Sequence, residues 1–240
     1  MDDYATNSTS DAAILSESIK DIARVHLLKL GGAGLSLDSV AQDCGRAAGE
    51  VQALFPHRDD LLTALVIDAY DASGAAMEQA DEAAAGGPAG ARLLAVTRAL
   101  RKWSFDHPAE FTLLYGSPVP GYHAPQDTVL PASRTPGVLA RIVGAALEGG
   151  ELTPSGRTVP GPPLLLPAAV EAFGGLPPAP YSDVIERGIV LWSSLIGLLV
   201  FQVFSRTHDS VRDEAAFFDY AVAVAAESIG LVVPLDGDAR

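Results

Sequence analysis

The chain has 240 residues, of which 48% are hydrophobic, and a formal net charge of −14. This composition is too apolar for an intrinsically disordered protein, and the length suffices for a buried core in one or two domains. The single cysteine, Cys44, excludes an intramolecular disulfide and a cysteine-based metal cluster. The N terminus lacks a basic segment followed by an apolar one, so we expect no secretory signal and a cytoplasmic protein.

In the first third of the chain, the spacing of apolar residues predicts four helices. They follow a small, polar segment at 1–10 that we expect to be a flexible tail. The predicted helices cover residues 11–31, 37–44, 48–55 and 59–80.

The remaining two thirds also favour helices, interrupted by two proline-rich stretches. Residues 116–137 contain five prolines and residues 153–180 contain eight, so we predict loops there. Helical spacing predicts helices at 89–106, 108–115, 138–147, 182–204 and 213–229, with a short one at 164–173. No stretch alternates as a strand does. The sequence therefore predicts an all-α protein of about nine helices.

Residues 35–62 have the pattern of two short helices around a tight turn, followed by the start of a third helix. Ser36 can cap the first helix, and Gly45 lies where that helix must end, because glycine accepts the left-handed conformation. Val51 returns at helical spacing, and Pro56 ends the second helix. This order is typical of a DNA-binding helix-turn-helix.

The same stretch resembles the N-terminal domain of the tetracycline-repressor-like (TetR/AcrR) transcriptional regulators. The resemblance rests on Leu-Ser-Leu-x-x-Val-Ala-x-x-x-Gly at 35–45 and on Leu-Phe-Pro-x-Arg-Asp-x-Leu-Leu at 54–62. It implies a helix-turn-helix domain at 11–58, a ligand-binding and dimerisation domain at 59–233, and a tail at 234–240. The implied function is a ligand-responsive regulator, usually a repressor, that a small apolar effector releases from its operator.

The resemblance places the DNA contacts on the helix-turn-helix and the start of the next helix. Ala47 stands where the family usually has Ser or Thr, and Gln52 stands where it has a phosphate-binding Tyr. Gln52 can also bind an adenine edge through two hydrogen bonds, whereas Glu50 adds a negative charge. The expected contact residues are Ser36, Arg46, Ala47, Gly49, Glu50, Gln52 and Arg58.

The charge of this region opposes DNA binding. Residues 1–70 contain 5 Lys or Arg and 11 Asp or Glu, a balance of −6. Sequence-independent affinity for DNA comes mainly from cations that neutralise phosphates. The competing hypothesis is therefore a TetR-like small-molecule sensor or interaction protein with weak or lost DNA binding.

Aromatic and histidine side chains concentrate in the C-terminal half. Trp103, His107 and Gly116 have the spacing seen in the regulatory domain of one TetR subgroup. A cluster of aromatic residues with a few polar groups is typical of a small-molecule site, although ordinary core packing explains the same residues one by one. The expected effector-binding residues are Trp103, His107, Phe111, Tyr115, Tyr122, His123 and Ile142.

The last two predicted helices carry a continuous apolar surface that a monomer cannot cover alone, so we predict a homodimer. The expected interface residues are Trp192, Leu195, Leu199, Phe217 and Val222. Residues 188–205 contain no charged side chain, and the length of this stretch is at the lower limit for a membrane span. Ser193, Ser194 and Gln202 favour a protein interior, so we expect no membrane partner.

Signatures of catalysis are missing from the sequence. It has no nucleophile elbow, no phosphate-binding Walker loop, no histidines at metal-binding spacing and no paired carboxylates in apolar surroundings. We therefore expect neither an enzyme nor a cofactor nor a metal. The expected partners are a near-palindromic operator in double-stranded DNA, a small apolar effector and a second copy of the chain.

Overall fold

A computed structural model describes residues 3–156, 164–207 and 210–235. The described residues form helices, turns and one isolated antiparallel bridge between Leu152 and Leu231, which confirms the all-α prediction. The middle of the proline-rich stretch at 153–180 and most of the predicted tail at 234–240 lie outside the described residues.

Eleven α-helices follow one another in the described part of the chain. They are α1 (Asp3–Leu30), α2 (Leu37–Asp43), α3 (Ala48–Leu54), α4 (Arg58–Ala83), α5 (Ala89–Asp106), α6 (Pro108–Tyr115), α7 (Val129–Ala132), α8 (Arg134–Glu148), α9 (Pro167–Ala172), α10 (Val184–Val203) and α11 (Glu214–Ala226).

Two helices begin earlier than the sequence predicts. Helix α1 begins at Asp3, so most of the segment expected to be a flexible tail is helical. Helix α8 begins at Arg134 and therefore includes Pro136. Proline is tolerated there because the N–H groups of a helix's first turn have no partner within the helix.

The chain divides into two compact units. The first comprises residues 1–72 and 106–132, and the second comprises residues 73–105 and 133–240. The first unit is larger than the predicted domain at 11–58, because Ala109 of α6 is buried in the same apolar cluster as the first four helices. Residues of this cluster include Ile19, Ala23, Leu27, Val40, Ala41, Val51, Leu61, Leu62 and Leu65.

The core of the second unit comes from four helices. Helix α10 packs against both α8 and α11. Its buried residues recur every fourth position, as expected for one face of a helix. The buried apolar residues include Leu93, Val96, Leu100, Val138, Ile142, Leu191, Leu195, Leu199, Phe218 and Val222.

The last described residues of the second unit, 230–235, form an extended segment, which we call the C-terminal strap. Leu231 and Val233 are buried while Val232 between them is exposed, an alternation that follows from extended backbone. Gly230 has φ 77°, and its carbonyl accepts a hydrogen bond from the Thr153 N–H (2.8 Å). The strap also approaches Gly90 so closely that a Cβ there would clash with the Val232 carbonyl.

Candidate DNA interface

Helices α2 and α3 are joined by a tight turn at residues 44–47. Gly45 adopts φ 63°, and its N–H donates to the Gln42 carbonyl (3.0 Å). The Arg46 N–H donates to the Ala41 carbonyl (2.9 Å), which closes the turn. The turn thus has the left-handed glycine that the sequence predicts at the end of α2.

The inner faces of α2 and α3 fix their orientation in the first unit. Val40 and Ala41 of α2 and Val51 of α3 are buried in the apolar cluster, together with Phe55 just after α3. Residues 47–50, 52 and 53 are exposed, so α3 presents an uninterrupted outer surface.

The structure brings most of the predicted DNA contacts onto this surface. Gly49 has open space around it, since a Cβ there would meet nothing within 4 Å. Gln52 and Ala53 are exposed beside it. Ser36 lies at the N-cap of α2, but its hydroxyl makes no capping hydrogen bond, contrary to the simple capping role that its position suggests.

Three residues at the start of α3 are linked by contacts within the chain. Glu50 Oε2 accepts a hydrogen bond from the Ala47 N–H (2.9 Å), which places the carboxylate at the N-terminal end of α3. Glu50 Oε1 lies 3.6 Å from Arg46 Nη1. The Arg46 charge is therefore already opposed by a carboxylate.

The other predicted phosphate contact, Arg58, also has internal partners. Its guanidinium donates to Asp59 Oδ1 (3.2 Å from Nη2) and to the Pro120 carbonyl (3.3 Å). Arg58 is the first residue of α4, and its side chain is 30% exposed.

Two further cations of this region are used to hold α1 against α4. Lys20 Nζ lies 2.7 Å from Asp68 Oδ2, and Arg24 Nη2 donates to the same oxygen (2.8 Å). Burial opposes the charge of Lys20, but hydrogen bonds to Asp68 and Glu17 outweigh it and raise the Lys20 pKa. Neither cation is available to a phosphate.

Lys29 is a further candidate for a phosphate contact, and it was not among the residues predicted from the sequence. It is exposed in the last turn of α1 and has no ion pair with any residue in the described part of the chain. The signal was present in the sequence, because Lys29 is one of only five cations among residues 1–70.

A contact that the sequence did not predict joins α1 to the end of α2. His26 Nε2 lies 2.7 Å from Asp43 Oδ2, and the His26 side chain is buried. Cys44 follows directly, and burial raises the pKa of its thiol. A protonated thiol is a poor nucleophile, so Cys44 has the character of a structural residue.

Five of the predicted effector-binding residues belong to the first unit. Phe111 is fully buried and its ring lies 5.2 Å from that of Tyr115, which in turn contacts Tyr70 edge to face (6.5 Å). Tyr122 Oη hydrogen-bonds Thr63 Oγ1 of α4 (3.1 Å). His123 is exposed, and exposed His107 lies at the N-cap of α6 with Nδ1 3.6 Å from Glu110 Oε1.

The other two, Trp103 and Ile142, are core residues of the second unit. Trp103 is 6% exposed and Ile142 is fully buried. The predicted set is therefore divided between the two units. The reason is that α6, which follows the break at Pro108, shares the apolar cluster of the first four helices.

The second unit has an apolar groove of about 700 Å³ between α10 and α11, which we call the α10–α11 groove. None of the seven predicted effector-binding residues lines it. Leu195 and Val222 form part of its floor, and Phe201 and Tyr220 at its edge are 53% and 58% exposed.

The predicted dimer-interface residues divide between the interior and the surface. Leu195, Leu199 and Val222 are at most 2% exposed, so within the protomer they are buried rather than at the surface. They alternate along the same helices with the residues that do face outward. Phe217 lies at the surface and Trp192 is half-buried.

Comparison with known proteins decides the family. Residues 93–225 match the family model described as "Tetracyclin repressor-like, C-terminal domain". The chain is 32% identical over 225 residues to the HTH-type transcriptional regulators Rv1816 of Mycobacterium tuberculosis and Mb1846 of Mycobacterium bovis, a match that covers 89% of this chain and 93% of each relative. The chain belongs to the TetR family of transcriptional regulators.

Solved structures agree with the TetR assignment. The regulatory protein SCO4313 shares 26% identity and superposes with a TM-score of 0.70, covering 91% of this chain and 98% of that one. A TetR-family regulator from Shewanella sp. PV-4 has the same fold at 15% identity, with a TM-score of 0.61 over 90% and 98% of the two chains. The predicted resemblance is confirmed, and the C-terminal match includes Trp103, His107 and Gly116.

Two further observations concern metal binding and membrane-spanning helices. The described residues contain no group of three or more His, Cys, Asp or Glu side chains placed to hold a metal ion. Helix α10 has the length and mean hydropathy (1.8) of a membrane-crossing helix, but one such helix is weak evidence because core helices of soluble proteins have the same character.

Proposed function

We propose that this TetR-family regulator is a repressor that binds a near-palindromic operator in double-stranded DNA as a homodimer. The observation that carries the proposal is the exposed outer surface of α3, where Gln52 lies beside Gly49 and Ala53. A helix lacking bulky side chains approaches base edges closely, and a glutamine amide matches the donor and acceptor of adenine.

The homodimer uses the exposed residues of α10 and α11. Val190, Phe201, Tyr220 and Val224 are between 46% and 58% exposed, which is unusual for large apolar side chains that belong to neighbouring helices. Two helices from each copy would bury these residues in a four-helix interface. The dimer would place two copies of α3 in successive major grooves.

Release from DNA follows binding of a small apolar effector. Helix α4 is continuous across both compact units, with residues up to 72 in the first and from 73 in the second. A ligand that favours one conformation of the second unit can therefore change the conformation of the first unit, because the two units share this helix. The acidic chain favours a neutral or cationic effector.

One observation favours a second candidate, a TetR-like sensor or interaction protein with weak or lost DNA binding. Of the five cations among residues 1–70, four are paired with carboxylates inside the first unit: Lys20, Arg24, Arg46 and Arg58. A protein whose cations are already neutralised releases few counterions from DNA and binds it weakly.

A binding experiment separates the two candidates. The wild-type chain is titrated against a fluorescent duplex taken from the region upstream of its own gene, with a shuffled duplex as competitor. We expect saturable binding that weakens as salt rises, and a smaller preference over the shuffled duplex for Gln52→Ala. Gln79→Ala is the matched control, because Gln79 is exposed on α4 in the second unit. Equal binding to both duplexes would favour the sensor.

The effector is tested by linkage between two assays. A compound that raises the melting temperature of the protein binds the folded state. By reciprocity, an effector that releases DNA must bind less tightly to the DNA complex than to the free protein. We expect stabilising compounds from an apolar library to weaken DNA binding. Stabilising compounds that leave DNA affinity unchanged would contradict the effector model.

A further inference from the structure

Glu50 has an unusual position for a carboxylate in a DNA-binding protein. Buried Val51 and Phe55 mark the inner side of α3, and a rotation of about 100° per residue then puts Gly49 and Ala53 at the centre of the outer side. Glu50 and Gln52 flank that centre, one on each side. They are the only two polar side chains among the exposed residues 47–50, 52 and 53.

The carboxylate of Glu50 is held in place by contacts within the turn. One oxygen accepts from the Ala47 N–H at 2.9 Å, and the other lies 3.6 Å from Arg46 Nη1. Arg46 is 51% exposed and Glu50 is 48% exposed, so both groups are at the surface that would face the duplex. The pair carries no net charge, so this surface lacks the positive charge that favours DNA.

We infer that Glu50 limits DNA affinity by competing with phosphate for Arg46. This inference rests on the proposed function. To contact a phosphate, Arg46 must leave Glu50, and the remaining carboxylate then repels the duplex. Both effects lower affinity for every sequence. Non-operator DNA is then no longer occupied while the operator still is, because at non-operator DNA no contact from Gln52 to a base compensates for the lost affinity. Glu50 thereby makes occupancy depend on the base-specific contact.

The decisive variant is Glu50→Gln, which removes the charge and keeps a side-chain oxygen able to accept from the Ala47 N–H. Binding of a random-sequence duplex is measured by fluorescence anisotropy at about 50 mM salt. We expect Glu50→Gln to bind about fivefold more tightly than wild type, with the difference shrinking as salt rises. Glu82→Gln is the control, since it removes an exposed carboxylate of α4 in the second unit. Thermal unfolding checks that each variant folds.

The competition itself is tested with Arg46→Ala in both backgrounds. In the wild type, Arg46 is held by Glu50, so its removal costs only the repulsion from the uncovered carboxylate, and we expect binding to weaken by about twofold. In the Glu50→Gln background, Arg46 is available to phosphate, and we expect its removal to cost about fivefold. Equal losses in the two backgrounds would show that Glu50 does not compete for Arg46, and would overturn the inference.

The outcomes distinguish this inference from the proposed function. If wild type binds DNA and Glu50→Gln binds no more tightly, the inference fails and the function stands. If only Glu50→Gln binds, the inference holds and the natural chain is a DNA-deficient sensor. If neither binds any duplex at low salt, the DNA-binding function fails and the inference fails with it.

Discussion

Ion pairs between residues far apart in the sequence join helices within each unit of this protein. In the second unit, Arg134 at the start of α8 donates two hydrogen bonds to Glu78 of α4, at 3.2 and 2.6 Å. Gly74 makes room for this approach, because a Cβ there would lie 2.8 Å from Arg134 Cβ. The hydrogen-bonded guanidinium lowers the pKa of the Glu78 carboxyl below its ordinary value.

This pair predicts a pH-dependent stability. A carboxylate whose pKa is lowered in the folded state stabilises that state above its ordinary pKa, roughly pH 4, and loses this contribution as the pH falls through the lowered value. About a third of each side chain is exposed, so we expect Glu78→Gln to cost less than about 1 kcal/mol at pH 7. The cost should disappear in strong acid.

Urea unfolding of both proteins at pH 7 and in acid measures the difference. Glu82→Gln is the control, because Glu82 lies one turn further along α4 and is exposed. A cost for Glu78→Gln that persists unchanged at low pH would show that packing rather than charge holds this contact.

At the scale of elements, the C-terminal strap depends on two glycines. Gly230 needs its left-handed conformation, and a Cβ there would also clash with the Thr153 carbonyl. A Cβ on Gly90 would clash with the Val232 carbonyl, although the backbone of Gly90 is helical. Gly150 shares the left-handed conformation (φ 70°) but has open space around it.

These differences predict an order of stability among three alanine variants. Gly150→Ala carries only the conformational cost, about 1 kcal/mol. Gly90→Ala and Gly230→Ala also displace the strap and uncover Leu231 and Val233, so we expect losses above about 2 kcal/mol. Thermal or urea unfolding provides the measurement. If Gly230→Ala costs no more than Gly150→Ala, the strap does not contribute to stability.

The sequence predicted regular helices well, and it predicted contacts between distant segments poorly. Helices α2 to α6 end within three residues of the predicted positions, because Gly45, Pro56, Pro88 and Pro108 mark their limits. Three features were missed, namely the start of α8, the C-terminal strap and the start of α1, and each has a local reason. Pro136 suggested a loop, although it lies in the first turn of α8. The strap at 230–235 is too short for its alternation of buried and exposed residues to be recognised. Small polar residues at 1–10 suggested a tail where α1 begins.

The candidate sites were predicted less completely than the helices. The exposure of Gln52 follows from the helical period around Val51, so the exposed face of α3 could be predicted from the sequence. The pairing of Lys20, Arg24 and Asp68 depends on how α1 meets α4, which periodicity does not encode. The same limit applies to α6, which belongs to the first unit, so the expected effector-binding residues are divided between the two units.

At the scale of the whole molecule, the exposed apolar surface around the α10–α11 groove predicts dimerisation. Phe201→Glu places a charge at the groove edge, where burial without a partner is costly. We expect wild type to have twice the 24.9 kDa chain mass at micromolar concentration and Phe201→Glu to be a monomer. Sedimentation equilibrium measures both.

The matched control for the dimer is Leu28→Glu, because Leu28 is 64% exposed on α1 in the first unit. That variant should remain dimeric. A monomeric wild type, or a Phe201→Glu protein that keeps the wild-type mass, would show that the groove is not the surface through which two copies associate.

Operator recognition by a dimer is the central claim, and selection from random duplex DNA tests it most directly. The full-length wild-type chain is used to enrich bound sequences over several rounds at low salt, and the enriched pool is sequenced. We predict a near-palindromic motif of two half-sites, each with an A·T pair whose enrichment is lost in a parallel selection with Gln52→Ala. A pool without any enriched motif would contradict operator binding.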